Sequence, residues 1–278
     1  MVDHNVLSLP VLNQKGKYYG IIEMFDLVEY VTALFSDLGA MKLIDLEKLL
    51  NSEKTFVSAT VRDVLKRPLS SRNPFRPINR GFSLFTAWEI LGLGGVNRIP
   101  ITNENGEICD IITQSMLVDF LWQNIEKIGA VAETKISDFK GAESEEVSSI
   151  PPTTKAINAF REMVRTEKAG LAVVDENGKL LDNMSVRDLR GIHTDAQVFW
   201  RLWSPVNEYK EMARKEFPDK TPAALVFVLP TDSLFTVVEK MAKLHIHRIY
   251  VVDSAESLTP LRVITQTDLL KEVLLNQK

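Results

Sequence analysis

The 278-residue sequence predicts an α+β fold of four tandem β-α-β-β-α units, the first lacking its leading strand and helix. Three observations carry this. Four stretches, 7–31, 97–121, 169–192 and 247–273, share one order: a β-type run, a polar turn, a second apolar run and a helix start. Runs with helical apolar spacing precede the later three. Apolar residues make up 45% of the chain against 25% charged, which suits a globular protein with a buried core.

The elements follow in order. The first runs are LPVL, RIPIT, LAVVD and IYVVD, and the second runs are GII, DII, LLDNM and RVI. Between them lie NQKG, NENG and DENG, whose Asn-Gly and Lys-Gly chemistry suits a hairpin, and in the fourth copy a longer turn from Ser254 to Pro260. Upstream, Ala156, Ile157, Phe160, Met163 and Val164 share one helical face, as do Leu234, Val238 and Met241. The capping-rich segments PPTTKA and LPTDSL introduce these helices, and INRGFSLFTAWEIL supplies the equivalent for the second unit. Segments 34–55 and 195–217 read as helical connectors, with Pro205 breaking the latter. The acidic, small-residue stretch at 139–149 marks a boundary. The chain then divides into 1–130, with units at 1–33 and about 56–125, and 131–278, with units at about 133–193 and 220–278. The truncated first unit leaves an apolar face either uncovered or filled by residues 34–55.

Composition excludes several classes of function. A formal net charge of −4 argues against a general nucleic-acid or anionic-membrane binder. No run approaches the roughly 18 apolar residues of a membrane span. The N-terminus reads as no signal peptide, and the single cysteine, Cys109, suits a reducing compartment. A soluble intracellular protein is expected. Nothing resembles a catalytic constellation: GLGGVNR (92–98) lacks the Lys-Ser/Thr of a phosphate loop, and no nucleophile stands at recognisable spacing from a histidine base. The chain is expected not to be an enzyme. His245 and His247 suggest half a metal site on one strand face, but no further Cys, His or paired acid accompanies them. Asp110, Asp119 and Asp182 read as solvated, and Trp88, Trp122, Trp200 and Trp203 as core or interface anchors.

The candidate chemistry sits where strand gives way to helix. Ser185-x-x-Asp188 and Thr265-x-x-Asp268 are complete. In the first copy Asp26 is present but Glu23 replaces the hydroxyl; in the second Thr113 is retained but Met116 replaces the acid. An arginine leads the first run in two copies only, Arg98 and His247-Arg248. One carboxylate can accept both hydroxyls of a vicinal diol, a helix start favours anions, and arginine presents a planar fork to phosphate oxygens. The competing reading is a capping box, with the hydroxyl at N-cap and the acid three residues on.

These motifs in this register resemble four cystathionine-β-synthase (CBS) motifs in tandem, paired as two Bateman modules. The nearest likeness is to the nucleotide-sensing γ subunits of AMP-activated protein kinase and its yeast and plant relatives. The resemblance implies a non-catalytic regulatory subunit that requires no cofactor and takes AMP, ADP or ATP as regulatory ligand. It implies Asp188, Asp268 and Asp26 at ribose hydroxyls, with Ser185, Thr265, Thr113, His247, Arg248 and Arg98 toward phosphate. It further implies a kinase catalytic subunit and a β-type scaffold subunit as partners, with a homodimer among the assemblies, in the cytoplasm and also the nucleus. S-adenosylmethionine is a further ligand of the family. A CBS scaffold that binds no nucleotide is the first rival, and an enzymatic or metal role resting on His245 and His247 the second.

Overall fold

The computed structural model describes residues 1, 6–35, 46–65, 76–140, 146–192, 196–216 and 225–276. Residues 36–45 of the first expected connector, and 141–145 of the expected boundary, lie outside them.

Each repeat forms its own small sheet. In the first, β1 (Ser8–Leu12) and β2 (Tyr18–Glu23) make a two-stranded hairpin leading into α1 (Met24–Leu34). After α2 (Leu46–Ser58) and α3 (Val61–Leu65), the second repeat runs β3 (Ile78–Asn79), α4 (Leu84–Leu93), β4 (Arg98–Thr102), β5 (Ile108–Thr113) and α5 (Gln114–Gln123). The third is β6 (Ser149–Ile150), α6 (Ala156–Thr166), β7 (Gly170–Val174) and β8 (Leu180–Ser185), closed by a 3-10 segment, Val186–Ile192. A further 3-10 segment, Ala196–Trp203, and α7 (Val206–Glu216) lead to the fourth: β9 (Phe227–Val228), α8 (Leu234–Lys243), β10 (Arg248–Val252), β11 (Pro260–Thr265) and α9 (Gln266–Leu275). The last three sheets have three strands, with the middle strand pairing parallel on one side. Among the described residues, the first has two.

The repeat extends to backbone detail. Hairpins β1–β2, β4–β5 and β10–β11 shift register at the same place, between the fourth and fifth residues of the leading strand. Gly16, Gly106 and Gly178 hold φ near +71°, +75° and +78° in the three short turns, a left-handed conformation that favours glycine. Pro205 separates the 3-10 segment from α7, as expected. The third repeat departs from expectation at its end, where 3-10 geometry replaces an α-helix. Gly191 there costs about 1 kcal/mol relative to alanine in a helix interior.

Contacts group the repeats into two compact units. One comprises Met1–Asn73, Ser148–Asn177 and Leu181–Leu225; the other comprises Pro74–Val147, Gly178–Leu180 and Val226–Lys278. The first and third repeats therefore share a core, as do the second and fourth, whereas the sequence-based division grouped them in chain order. The lead-in segments explain part of this. Residues 134–139 precede the third repeat but dock on the fourth: Leu234 N donates to Thr134 O at 2.9 Å and Ile136 N to Asp232 O at 2.9 Å. Residues 204–207 precede the fourth but dock on the third, with Ala156 N donating to Ser204 O (3.0 Å) and Val206 N to Thr154 O (2.8 Å).

In the first unit, α1 and α6 pack over Phe160, Met163, Leu171 and Met184, all fully buried. Aromatic rings pack beside the end of α1: Phe35 meets Phe199 edge-on at 5.5 Å and Trp203 at 4.9 Å, and Phe56 meets Phe199 at 5.2 Å. Residues 36–45 of the segment expected to fill the first unit's apolar face lie outside the described residues; Phe35 from its start packs on Phe199 and Trp203. Of the expected tryptophan anchors, Trp88 is buried and donates from Nε1 to Leu270 O at 3.1 Å, while Trp200 is exposed.

In the second unit α4, α5, α8 and α9 surround Leu91, Leu117, Val238, Leu269 and Val273. At Gly92, a Cβ would meet Leu274 Cδ1 at 3.1 Å and Leu270 Cβ at 3.4 Å, so α4 rests directly on α9. Gly92→Leu is therefore expected to destabilise the protein by about 1–3 kcal/mol through overpacking, read as a lowered urea midpoint with an unchanged m-value.

Candidate functional site

The site is best built from the junctions between second strand and helix. In the second unit, β10 faces β11 so that Arg248 stands opposite Thr265, and β4 faces β5 so that Arg98 stands opposite Thr113. Each hydroxyl is an N-cap: Thr265 Oγ1 accepts from Asp268 N at 3.3 Å and Thr113 Oγ1 from Met116 N at 3.3 Å. Asp268 closes a capping box, its Oδ2 receiving Thr265 N at 2.8 Å and Thr265 Oγ1 at 2.7 Å. Capping is thus present, and it occupies one carboxylate oxygen. Among the described residues, Asp268 Oδ1 receives no hydrogen bond, so it retains the acceptor capacity that a diol requires.

Two glutamines knit the second and fourth repeats together. Gln114 Nε2 donates to Thr267 Oγ1 at 2.8 Å and to Leu91 O at 2.9 Å, and Ser115 Oγ donates to Gln266 Oε1 at 3.1 Å. Ser115 Oγ also lies 3.3 Å from His247 Nε2. His247 thereby sits beside the second repeat's helix start while Arg248 begins its own strand. Both His245 and His247 precede β10, and His245 is exposed with φ of +50°. They do not share a strand face as expected, because the strand begins only at Arg248. The glutamines were legible in retrospect as Thr-Gln-Ser (113–115) and Thr-Gln-Thr (265–267). Gln114→Ala leaves the buried Leu91 O, and the half-buried Thr267 Oγ1, without this donor. A loss of about 1–3 kcal/mol is expected, measured by thermal or denaturant unfolding.

In the first unit Ser185, Asp188 and Asp26 come from the third and first repeats. Asp26 is 3% exposed and its Oδ2 accepts from Glu23 N at 2.7 Å. Asp188 Oδ2 accepts from Ser185 N at 2.6 Å and Ser185 Oγ at 3.1 Å, much as in the fourth repeat. Its other oxygen differs: Lys210 Nζ, from α7, reaches Asp188 Oδ1 at 3.1 Å. The same ammonium donates to Asn183 O at 2.7 Å and lies 3.7 Å from Asp182 Oδ1, and Lys210 is only 5% exposed. Asp182, expected to be solvated, is instead half-buried and also paired with Arg214 at 2.6 Å. Lys210 carried no local sequence signal, because it lies 22 residues beyond Asp188.

Arginines complete this corner. Burial, then the like charge of Arg187, lowers Arg190 to about 10, with Asp188 opposing the shift. Burial likewise lowers Arg187, again against Asp188. Tyr209 is raised well above its ordinary value, by burial and then by the Asp188 carboxylate, and its hydroxyl donates to Asp188 O at 2.7 Å.

The model of the CBS domain family matches residues 1–33, 61–123, 136–193 and 215–275, well over half of the chain. The chain belongs to the CBS domain family. The hairpin-and-helix junctions described above are therefore the second halves of four CBS motifs. Among curated proteins, Protein SDS23 of Kluyveromyces lactis is 28% identical over 281 residues, 91% of this chain and 51% of that protein. Protein sds23/moc1 of Schizosaccharomyces pombe is 25% identical over 262 residues, 91% of this chain and 63% of that protein. The chain spans about half the length of the curated relatives it matches. Among solved structures, protein MJ1225 of Methanocaldococcus jannaschii, described as a proposed archaeal homolog of g-AMPK, has a TM-score of 0.66 at 21% identity. That match covers 97% of this chain and 88% of the archaeal one. A conserved protein of Pyrococcus horikoshii gives 0.59 at 19% identity, with 97% and 92% covered. These likenesses show a shared fold, and the four CBS motifs in it come from the family match.

Proposed function

We propose that this CBS protein is a non-catalytic regulatory subunit whose fourth motif binds an adenine nucleotide, AMP, ADP or ATP, and that nucleotide occupancy regulates a protein kinase of the AMP-activated type. One observation carries the reading: the Arg248–Thr265–Asp268 junction sets an arginine, in strand register, opposite a capping hydroxyl and beside a carboxylate with one oxygen open. The fold likeness to a protein described as a g-AMPK homolog points the same way. On this reading the functional modules are 1–130 and 131–278. A ligand that prefers one arrangement of the motifs then shifts the population between states. The partners are a kinase catalytic subunit and a β-type scaffold, and the compartment is the cytoplasm and nucleus.

The test is calorimetric titration of AMP, ADP and ATP into the purified chain, followed by recovery of kinase subunits from native lysate. A nucleotide isotherm together with a bound kinase supports the reading. A second reading has its own observation. Asp26 is 3% exposed, Met116 stands in the second acidic position, and Lys210 holds Asp188, so three of four motifs present no open carboxylate. That favours a CBS scaffold without nucleotide, and flat titrations with all three nucleotides would establish it.

A further inference from the structure

We propose that Lys210 is a built-in occupant of the third motif's carboxylate, which keeps that motif closed and confines the chain to nucleotide binding at the fourth. The inference deepens the nucleotide-sensing reading and rests on it for the identity of the ligand. Its basis is the contrast between two otherwise matching junctions. Both acids spend Oδ2 on the backbone N–H and hydroxyl of their N-cap residue. Only Asp188 has its second oxygen taken, by an ammonium 3.1 Å away.

The ammonium is well held. It donates hydrogen bonds to Asp188 Oδ1 and Asn183 O, and lies 3.7 Å from the Asp182 carboxylate as an ion pair. The first turn of the helix that carries it, N-terminal to Lys210, is firmly fixed. Val206 N donates to Thr154 O at 2.8 Å, and Tyr209, fully buried, donates to Asp188 O and meets Phe160 edge-on at 6.1 Å. A ribose reaching Asp188 must displace a buried charge that has no other partner of equal quality. At Asp268 it meets an open oxygen. Removing the ammonium while keeping the stem's volume should open the third motif, since it frees Asp188 Oδ1 from the donor that occupies it.

The experiment uses the full chain in five versions: wild type, Lys210→Met, Asp188→Asn, these two combined, and Asp268→Asn, each titrated calorimetrically with AMP and with ATP. Folding is monitored by circular dichroism. The expected result is one site in the wild type, less than about a threefold change in affinity for Asp188→Asn, and a second site in Lys210→Met. That second site should vanish when Asp188→Asn is added. A wild-type site lost in Asp188→Asn overturns the proposal, as does a folded Lys210→Met that gains nothing. If Lys210→Met fails to fold, Asp188→Asn alone decides: unchanged nucleotide binding supports closure, and lost binding overturns it. Failure of the underlying reading looks different. In that case Asp268→Asn leaves the wild-type isotherm unaltered, whatever happens at Asp188.

Discussion

Replacing Asp268 with alanine is expected to weaken nucleotide binding about ten- to a hundredfold. Hydrogen bonds to a charged group contribute about 1.5–3 kcal/mol, and each 1.4 kcal/mol is about a decade of affinity. The same substitution removes the capping box, in which Asp268 Oδ2 receives Thr265 N at 2.8 Å. Loss of a cap costs about 1 kcal/mol of stability, a few degrees of Tm for a protein of this size. Asp268→Asn separates the two effects. Its amide oxygen can still receive the Thr265 N–H, so the cap survives, while the negative charge and the second acceptor disappear. Affinity should therefore fall in both variants, and Tm chiefly in the alanine variant. A Tm loss in Asp268→Ala with nucleotide affinity unchanged in either variant would reduce the junction to a helix cap and sink the sensing role for this site.

Much of the fold was written locally. Asn-x-x-Gly turns, alternating apolar runs and Thr or Ser at helix starts act over a few residues, and they recur in register, so four units were visible before any coordinates. The shorter first unit was equally visible, and among the described residues its sheet has two strands where the others have three. What covers that repeat was only partly legible. Phe199 and Trp203 reach Phe35 from far along the chain, and no periodicity encodes such a contact. The same limit governs the site. Thr265 and Asp268 are three residues apart and announce each other. Lys210 and Asp188 are joined only because α7 docks on the third repeat, so a complete Ser-x-x-Asp reads as an open acceptor until its partner is seen. The compact units were hidden for a related reason: residues 134–139 and 204–207 pack away from the repeats they introduce in the chain.

Alanine at Asp188 should cost more stability than alanine at Asp268, about 3 kcal/mol. Breaking a buried ion pair by removing one partner costs about 3–5 kcal/mol, because the remaining charge is left without compensation. Lys210 would be that remaining charge, 5% exposed, with Asp182 still 3.7 Å away to limit the loss to the lower end. Asp268 has no equivalent cation bonded to its carboxylate among the described residues, so only its cap is lost. The pair's own contribution is isolated by a double-mutant cycle with Asp188→Ala, Lys210→Met and the two combined, followed by urea unfolding. Residues in direct contact couple by about 0.5–3 kcal/mol. A buried pair whose ammonium is shared by Asp188, Asn183 O and Asp182 belongs in the upper half of that range. The combined variant should then be markedly more stable than the sum of the single losses implies, since neither charge is left stranded. Additivity within about 0.5 kcal/mol would mean that Lys210 and Asp188 are neighbours without being partners, and the distinction between the third and fourth motifs would lose its physical basis.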